Sequence, residues 1–197
     1  MEALARHLTA WIAAEVTAAG GAGAVFGLSG GLDSAVVAAL AARALPGRAL
    51  GLVMPCHGDP QDVDDAAAVA DRFAVAVSTV DLSPVHDALL EQLSLGASGI
   101  RDDRLAAANL KPRLRMTTLY AFANHLDYRV LGTDNRSELA VGYFTKYGDG
   151  GADLLPLGSL VKGEVRDLAR HLGVPERIVA KPPSAGLWAG QTDEAEM

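Results

Sequence analysis

A glycine turn flanked by serines and a carboxylate is the first stretch of this chain that could do chemistry. Residues 29–34 read Ser-Gly-Gly-Leu-Asp-Ser, after the apolar run Ala24–Leu28 and before the helix-forming run Ala35–Leu45. Paired glycines let backbone amides approach a ligand, and a helix beginning here adds the positive end of its dipole. The pattern therefore predicts a phosphate-binding loop. The carboxylate of Asp33 fits such a loop if a divalent cation lies between it and the phosphate.

The turn differs from two common nucleotide-binding motifs. It has no GxxxxGK[ST] sequence, no Lys near Gly31 and no GxGxxG pattern. The structural alternative is a glycine turn that only joins a strand to a helix. We favour the nucleotide loop because the complete string SGGLDS stands between an apolar run and a helix-forming run. We expect Ser34 to cap that helix.

Apolar and β-branched runs predict the strands that would position this loop, and helix-forming segments separate them. The predicted strands are Ala24–Leu28, Ala49–Met54, Ala74–Val80 and Tyr128–Leu131. The predicted helices after the first strand are Ala35–Leu45, Asp59–Phe73, Ser83–Leu95, Arg104–His125 (broken or kinked near Pro112) and Lys162–Leu172. This alternation predicts an α/β fold, a doubly wound and mainly parallel sheet with helices on both faces. Right-handed crossovers would place the glycine turn at a switch point of the sheet.

Charged residues gather in three segments of the second half of the chain. Asn109–Met116 holds three cations, Gly132–Glu138 follows the fourth predicted strand, and Tyr143–Asp153 is rich in glycine and charge. Each has a plain structural alternative, because cation clusters are often solvated faces and Glu138 suits the first turn of a helix. The alternative is a local patch that attracts a polyanionic substrate.

Composition restricts the classes of function. The 197 residues carry a formal net charge of −7, which argues against a nucleic-acid-binding surface. No apolar run approaches the length of a membrane span, and Cys56 is the single cysteine, so an internal disulfide is excluded. The five histidines show no metal-ligand spacing, and we expect surface or capping roles for them. The sequence predicts a single-domain cytoplasmic protein with no membrane partner.

Four motifs resemble known proteins. The SGGLDS turn resembles the SGGxDS loop of the N-type ATP pyrophosphatases, which have a Rossmann-like sheet. Gly132–Leu157, Lys181–Glu194 and Asn109–Met116 are more specific, and they resemble ammonia-dependent NAD synthetases. In Asn109–Met116, Pro112 stands where that family usually has alanine. The likeness covers roughly residues 3 to 197.

The resemblance implies a reaction in which deamido-NAD, ATP and ammonia give NAD, AMP and pyrophosphate through an adenylated nicotinate carboxylate. It implies catalytic roles for Asp33 and Lys162, and Mg²⁺ held by Asp33 and Glu138. Deamido-NAD contacts would be Arg113, Lys146 and Asp153. ATP contacts would be Gly27, Leu28, Ser29, Gly30, Gly31, Leu32, Asp33, Ser34, Met54, Thr133, Lys162 and Ser184.

The resemblance also implies a homodimer, and a family sequence that continues past Met197 with a further C-terminal segment. We therefore expect a family domain that lacks this segment. Free ammonia is the expected nitrogen source, because the chain has no amidase motif around its one cysteine. Two alternatives stay open. One is another ATP pyrophosphatase, such as a GMP-synthetase-like amidotransferase or a tRNA-modifying enzyme, and the other is a truncated, inactive nucleotide-binding or dimerisation module.

Overall fold

The computed structural model describes residues 1–182 and residue 188. These residues form four strands and eight helices. In chain order they are α1 (Glu2–Ala18), β1 (Gly23–Gly27), α2 (Leu32–Ala44), β2 (Ala49–Val53), α3 (Pro60–Phe73), β3 (Ala76–Thr79), α4 (Ser83–Gly96), α5 (Arg104–Leu126), β4 (Tyr128–Leu131), α6 (Arg136–Val141), α7 (Lys162–Leu172) and α8 (Glu176–Val179).

The strands make one parallel sheet with the order β3-β2-β1-β4. β1 pairs with β2 on one side, where Val25 lies opposite Leu50, and with β4 on the other, where Val25 lies opposite Val130. The winding direction therefore reverses between β1 and β4, which is a topological switch point. The predicted doubly wound α/β fold is confirmed, and the segments that follow β1 and β4 leave the sheet side by side.

Alternate side chains of the strands feed two apolar clusters, one on each face of the sheet. Phe26 and Leu131 belong to the cluster built with α1, α2, α3 and α7. Val25 and Val130 belong to the cluster built with α5 and with Leu82, which precedes α4. Both faces are covered, as the near-continuous apolar character of β1 requires. Among the described residues, none of the helices has the length and apolarity that a membrane crossing needs.

Two expectations about helices are wrong. Ser34 does not cap α2, because α2 begins earlier, with Gly31 as its N-cap residue. Of the break or kink expected at Pro112, the break is wrong, because α5 continues through this residue from Arg104 to Leu126. A proline inside a helix removes one hydrogen-bond donor. Pro112 is buried, and a Cβ placed on Gly148 would lie 3.0 Å from its Cβ, so tight packing against this loop offsets that loss.

Candidate active site

Hydrogen bonds of its two serines stabilise the turn after β1. The Ser34 hydroxyl donates to the carbonyl of Gly31 at 3.0 Å and accepts the amide of Ser29 at 3.2 Å. The Ser29 hydroxyl accepts the amide of Gly31 at 3.3 Å. Gly30 has φ of +77°, and a Cβ placed there would lie 2.3 Å from the carbonyl oxygen of Asp62. Glycine is therefore required at this position, because both the conformation and the space exclude a side chain.

The first turn of α2 points at the switch point without a side-chain cap. Its N-cap residue Gly31 offers no side-chain acceptor, and Asp33 is the acidic residue of this turn. The first amides of a helix have no partner within the helix and carry the positive end of its dipole. This geometry suits an anion at the turn, as the sequence predicts.

The segment after β4 is shaped by a capping box. The Asn135 side chain accepts the amides of Ser137 and Glu138, at 2.9 and 3.2 Å. Glu138 Oε2 in return accepts the amide of Asn135 at 3.0 Å. This reciprocal arrangement starts α6 and fixes the direction of the Glu138 carboxylate. Asn135 Nδ2 also donates to Asp33 Oδ1 at 3.1 Å, which joins the segment after β4 to α2.

Lys162 is the first residue of α7, and its side chain extends into the site. The amide of Arg136 donates to the carbonyl of Leu160 at 2.8 Å, and the amide of Lys162 donates to the Ser137 hydroxyl at 3.1 Å. These two bonds attach the start of α7 to the start of α6. The Lys162 ammonium then donates to Glu138 Oε1 at 3.2 Å and to Asp33 Oδ2. The structure thus brings together Asp33, Glu138 and Lys162, which the resemblance nominates for metal binding and catalysis.

Burial and crowding of negative charge change the pKa values here. Burial, and then the neighbouring Asp33, raise the pKa of Glu138, although Lys162 opposes the shift. Burial alone would lower the pKa of Lys162, but Asp33 and Glu138 outweigh it and raise that pKa above its usual value. Lys162 therefore stays a cation between two carboxylates.

Asp134 is the functional candidate that the sequence analysis missed. Its side chain is buried, and in the described part of the chain Oδ2 has no hydrogen-bond partner. Burial, then the charges of Asp149, Glu138 and Asp33, raise its pKa to about 7. The only signal in the sequence is a carboxylate beside the Asn135 capping box, which does not by itself indicate burial.

The donor set fits Mg²⁺. The Asp33 and Glu138 oxygens both lie within hydrogen-bond reach of the Lys162 ammonium, so they are close enough to face one cation. Mg²⁺ binds through one or two carboxylates and keeps waters or phosphate oxygens as its other ligands. Burial, and then the neighbouring carboxylates, raise the pKa of Asp134, and a cation bound here would relieve the repulsion between these carboxylates.

The other nominated residues lie around this cluster. Met54 follows β2, and its carbonyl accepts Arg115 Nε at 3.3 Å. A Cβ on Gly27 would lie 3.6 Å from the Met54 methyl group, so Met54 borders β1. Thr133 is half-buried in the segment after β4. Ser184 lies outside the described residues.

The resemblance assigns three residues to deamido-NAD binding, and these residues differ in exposure and in hydrogen bonding. Arg113 is exposed, and its Nε donates to the carbonyl of Lys146 at 3.3 Å, so α5 and the loop bearing Lys146 share one surface. Asp153 has structural bonds instead. Its Oδ1 accepts the Tyr120 hydroxyl at 2.9 Å and its Oδ2 accepts the amide of Val130 at 2.8 Å. Among the described residues, no hydrogen bond or ion pair joins Asp153 to Arg113 or Lys146.

Comparisons with known proteins agree with this geometry. The family model of NAD synthase matches residues 4–197. The chain is 51% identical to the NH(3)-dependent NAD(+) synthetase of Carboxydothermus hydrogenoformans over 190 residues, covering 96% of this chain and 78% of the relative. It is 50% identical to the enzyme of the same name from Finegoldia magna, covering 98% and 78%.

Solved structures give the same result. An NMN synthetase from Francisella tularensis superposes with a TM-score of 0.93 at 39% identity, covering 99% of this chain and 80% of that one. The NH3-dependent NAD synthetase from Campylobacter jejuni, in complex with nitrate, gives a TM-score of 0.84 at 31% identity, covering 90% and 76%. With its parallel sheet, its SGGLDS turn and the cluster of Asp33, Glu138 and Lys162, the chain belongs to the NAD synthase family.

Proposed function

We propose that this chain is an ammonia-dependent NAD synthetase, which converts deamido-NAD, ATP and ammonia into NAD, AMP and pyrophosphate. The observation that carries the proposal is the meeting of Asp33, Glu138 and Lys162 at the switch point between β1 and β4. Open α/β sheets bind ligands at such a point, outside the carboxyl ends of the strands. The names of the relatives support the choice of reaction.

The chemistry requires activation of a carboxylate. Ammonia cannot displace oxide from the nicotinate group directly, so a carboxylate oxygen first attacks the α-phosphorus of ATP and pyrophosphate leaves. Ammonia then attacks the acyl carbon of the mixed anhydride, AMP leaves with the former carboxylate oxygen, and one proton is released. Neutral ammonia is already a nucleophile, so the site has little need of a strong base.

The residues around the turn would bind and orient the triphosphate. The uncapped amides at the start of α2, and the Ser29 and Ser34 hydroxyls, would donate to phosphate oxygens. The Lys162 ammonium would exchange a carboxylate partner for a phosphate oxygen as charge develops on pyrophosphate. Both interactions favour attack at the α-phosphorus, because they stabilise the group that leaves.

Mg²⁺ is part of this proposal. Asp33 and Glu138 would hold the ion, and Asp134 lies close enough to influence it through its charge. When bound, Mg²⁺ would neutralise phosphate oxygens that otherwise repel the carboxylate nucleophile. Asn135 would keep the Asp33 carboxylate in place through its bond to Oδ1.

The nicotinate substrate would bind near the exposed cations. Arg113 and Lys146 lie on one surface and carry charges that suit the phosphates of a dinucleotide. Asp153 would act there mainly by positioning Tyr120 and β4, since both of its oxygens are engaged. Thr133, Met54 and Ser184 complete the proposed ATP contacts.

The size of the substrate is a second question, because the relative from Francisella tularensis is named an NMN synthetase. The same activation of a nicotinate carboxylate serves a mononucleotide and a dinucleotide. We favour deamido-NAD because the relatives at 50% and 51% identity are named NAD(+) synthetases. Nicotinate mononucleotide is the alternative acid.

The oligomeric state, the cellular location and the extent of the domain are part of the same proposal. We expect a cytoplasmic homodimer, with α1 and the second half of α5 as candidate interface elements. Sedimentation velocity tests the dimer, and a monomer at micromolar concentration would contradict it. That residues 1–197 belong to a single domain stays a prediction.

One assay tests the reaction. The chain is incubated with ATP, Mg²⁺ and ammonium, and with deamido-NAD or nicotinate mononucleotide in separate arms, while amide product and pyrophosphate are measured. NAD formation supports the proposal. Formation of NMN alone would show that nicotinate mononucleotide, and not deamido-NAD, is the substrate. ATP binding without turnover of either acid would favour the inactive module. Arg170→Met is the control for site variants, because Arg170 is an exposed residue of the same helix as Lys162.

A further inference from the structure

Two histidines and an aspartate converge at the end of β2, outside the contacts of the Asp33 cluster. His57 follows β2, and His86 and Asp87 lie in the first turns of α4. One ligand atom from each lies within 4.8 Å of the other two. His57 Nε2 is 2.8 Å from Asp87 Oδ1, and His86 Nδ1 is 3.4 Å from the same oxygen. The expectation of surface or capping roles for all histidines is therefore wrong for His86, which is buried.

The hydrogen bond made by His86 Nε2 determines which ring nitrogen carries a lone pair. Nε2 lies 3.1 Å from the carbonyl oxygen of Ala107. A carbonyl oxygen only accepts, so Nε2 carries the proton. In a neutral ring Nδ1 then presents a lone pair, and it faces the lone pairs of Asp87 Oδ1. Two acceptors that face each other at this distance are an arrangement that a metal cation would satisfy.

The surroundings of His86 suit a metal ligand. Its side chain is only 7% exposed, so the packing around it holds the ring in one orientation. A ring that donates its other N–H to a backbone carbonyl is the usual arrangement of a metal-ligating histidine. His57 adds a third donor, and its amide donates to the Ser83 hydroxyl at 3.2 Å, which helps to hold the loop against α4.

The cavity beside this site is lined by positively charged side chains. A cavity of about 310 Å³ beside His57 and His86 is lined by Arg101, Arg104 and Lys111, whose charges repel a cation. The Arg104 guanidinium lies 4.6 Å from the centre of the Trp188 ring, in a cation–π contact that helps to position it. The cavity leaves room beside the ion for water or an anion, as a site with three protein ligands requires.

We propose that His57 Nε2, His86 Nδ1 and Asp87 Oδ1 bind Zn²⁺. Two imidazoles and one carboxylate are a ligand set that suits this ion, with open positions toward the cavity. The ion joins the loop after β2 to α4, while the carbonyl of Ala107 on α5 orients His86. Because the unfolded chain lacks this arrangement, bound Zn²⁺ stabilises the folded protein.

The test is a Zn²⁺ titration of the full chain after chelator treatment, in competition with a chromophoric chelator. Excess Mg²⁺ is present to occupy the Asp33 cluster. We expect one site, at least tenfold weaker binding for His57→Ala and for Asp87→Asn, and less than twofold change for His125→Ala. His57 and Asp87 side chains are 47% and 60% exposed, so these variants should fold. His125 is an exposed control on α5.

Two further measurements test the ligands directly. Zn²⁺ should raise the Tm of the starting protein, and it should raise that of His57→Ala much less. In nitrogen NMR spectra, Zn²⁺ should shift His86 Nδ1 and His57 Nε2. The proposal is overturned if His57→Ala binds Zn²⁺ as tightly as the starting protein, or if Zn²⁺ leaves the nitrogen signals of His86 and His57 unshifted.

Discussion

Asn135 Nδ2 donates to Asp33 Oδ1 at 3.1 Å, across 102 residues of sequence. This bond joins the two segments that leave the sheet at its switch point. The backbone amide of Asn135 is in turn held by Glu138, so the proposed metal carboxylates are oriented through one residue. Their relative position therefore depends on Asn135 as well as on Lys162.

Replacing Asn135 should disturb both carboxylates. We expect Asn135→Ala to lower the free energy of unfolding by about 2 kcal/mol, through loss of the helix cap and of the bond to Asp33. We also expect weaker Mg²⁺–ATP binding. Chemical denaturation and calorimetry measure the two effects. Asn135→Asp keeps the cap acceptor but faces Asp33 with a like charge, and equal ATP affinity in this variant and the starting protein would contradict the role.

Gly30 and Gly47 offer a matched pair for testing the turn. Both have positive φ, of +77° and +71°, but a Cβ on Gly30 would lie 2.3 Å from the carbonyl of Asp62, whereas a Cβ on Gly47 has no atom within 4 Å. In both alanine variants the left-handed conformation lowers the stability by about 1 kcal/mol. Gly30→Ala should lose more stability and should lose ATP binding, whereas Gly47→Ala should keep it. Equal losses in thermal and ATP-binding measurements would show that close packing at Gly30 is unimportant.

Asp134 should make the stability of the ligand-free protein depend on pH. Its pKa is raised to about 7 in the folded state from an ordinary value of 3.8, so the folded state binds this proton more tightly than the unfolded state does. The stability that the protonated group contributes is present below pH 4 and is lost as pH rises through about 7. The loss is about 4 kcal/mol, because each tenfold change in proton affinity is worth about 1.4 kcal/mol.

Asp134→Asn removes this titration and keeps the shape of the side chain. Relative to the starting protein, the variant should gain stability as pH rises from about 4 to about 8. Denaturant unfolding at a series of pH values, without nucleotide or metal, measures the difference. Parallel curves for the two proteins would show that Asp134 is ionised throughout.

Lys181 connects the segment after α8 to the turn that is proposed to bind phosphate. Its Nζ lies 2.7 Å from Asp62 Oδ1 and 2.9 Å from Asp65 Oδ2, and Asp65 also accepts Arg177 Nε at 2.9 Å. Because Asp62 packs against Gly30, Lys181→Met should raise the KM for ATP and reduce stability by about 2 kcal/mol. Arg170→Met is the control, and an unchanged KM for ATP in Lys181→Met would contradict the connection.

The sequence predicts the elements of this site better than its contacts. The run of apolar residues before SGGLDS, the helix after it and the parallel strands are all readable from local patterns. The Asn135 capping box is also readable, as an Asn followed three residues later by Glu138. The bond from Asn135 to Asp33 is not, because no local periodicity relates side chains from separate crossovers.

The same limit explains the other differences. Pro112 continues a helix because a loop packs against it, and that loop is more than thirty residues away in sequence. His57 comes close to His86 and Asp87 only because the loop after β2 contacts the start of α4, where the amide of His57 donates to the Ser83 hydroxyl. Burial of Asp134 also follows from tertiary packing, so its shifted pKa had no signal in the sequence.

Lys162 is the residue whose loss should affect both folding and chemistry. Lys162→Met leaves two half-buried carboxylates without their cation, and breaking such a pair costs about 3 kcal/mol or more. We expect lower stability, partly restored by Mg²⁺, and a large fall in kcat with Mg²⁺–ATP binding retained in part. Unfolding with and without Mg²⁺ and steady-state kinetics check this. Full activity in Lys162→Met would remove Lys162 from the site.

The most direct measurement follows the carboxylate oxygen during one turnover. Deamido-NAD labelled with ¹⁸O in its nicotinate carboxylate is converted in the presence of ATP, Mg²⁺ and ammonium, and the products are analysed by mass spectrometry. If the carboxylate attacks the α-phosphorus at the turn after β1, AMP carries one labelled oxygen and pyrophosphate carries none. Label in inorganic phosphate or pyrophosphate, with unlabelled AMP, would contradict the account.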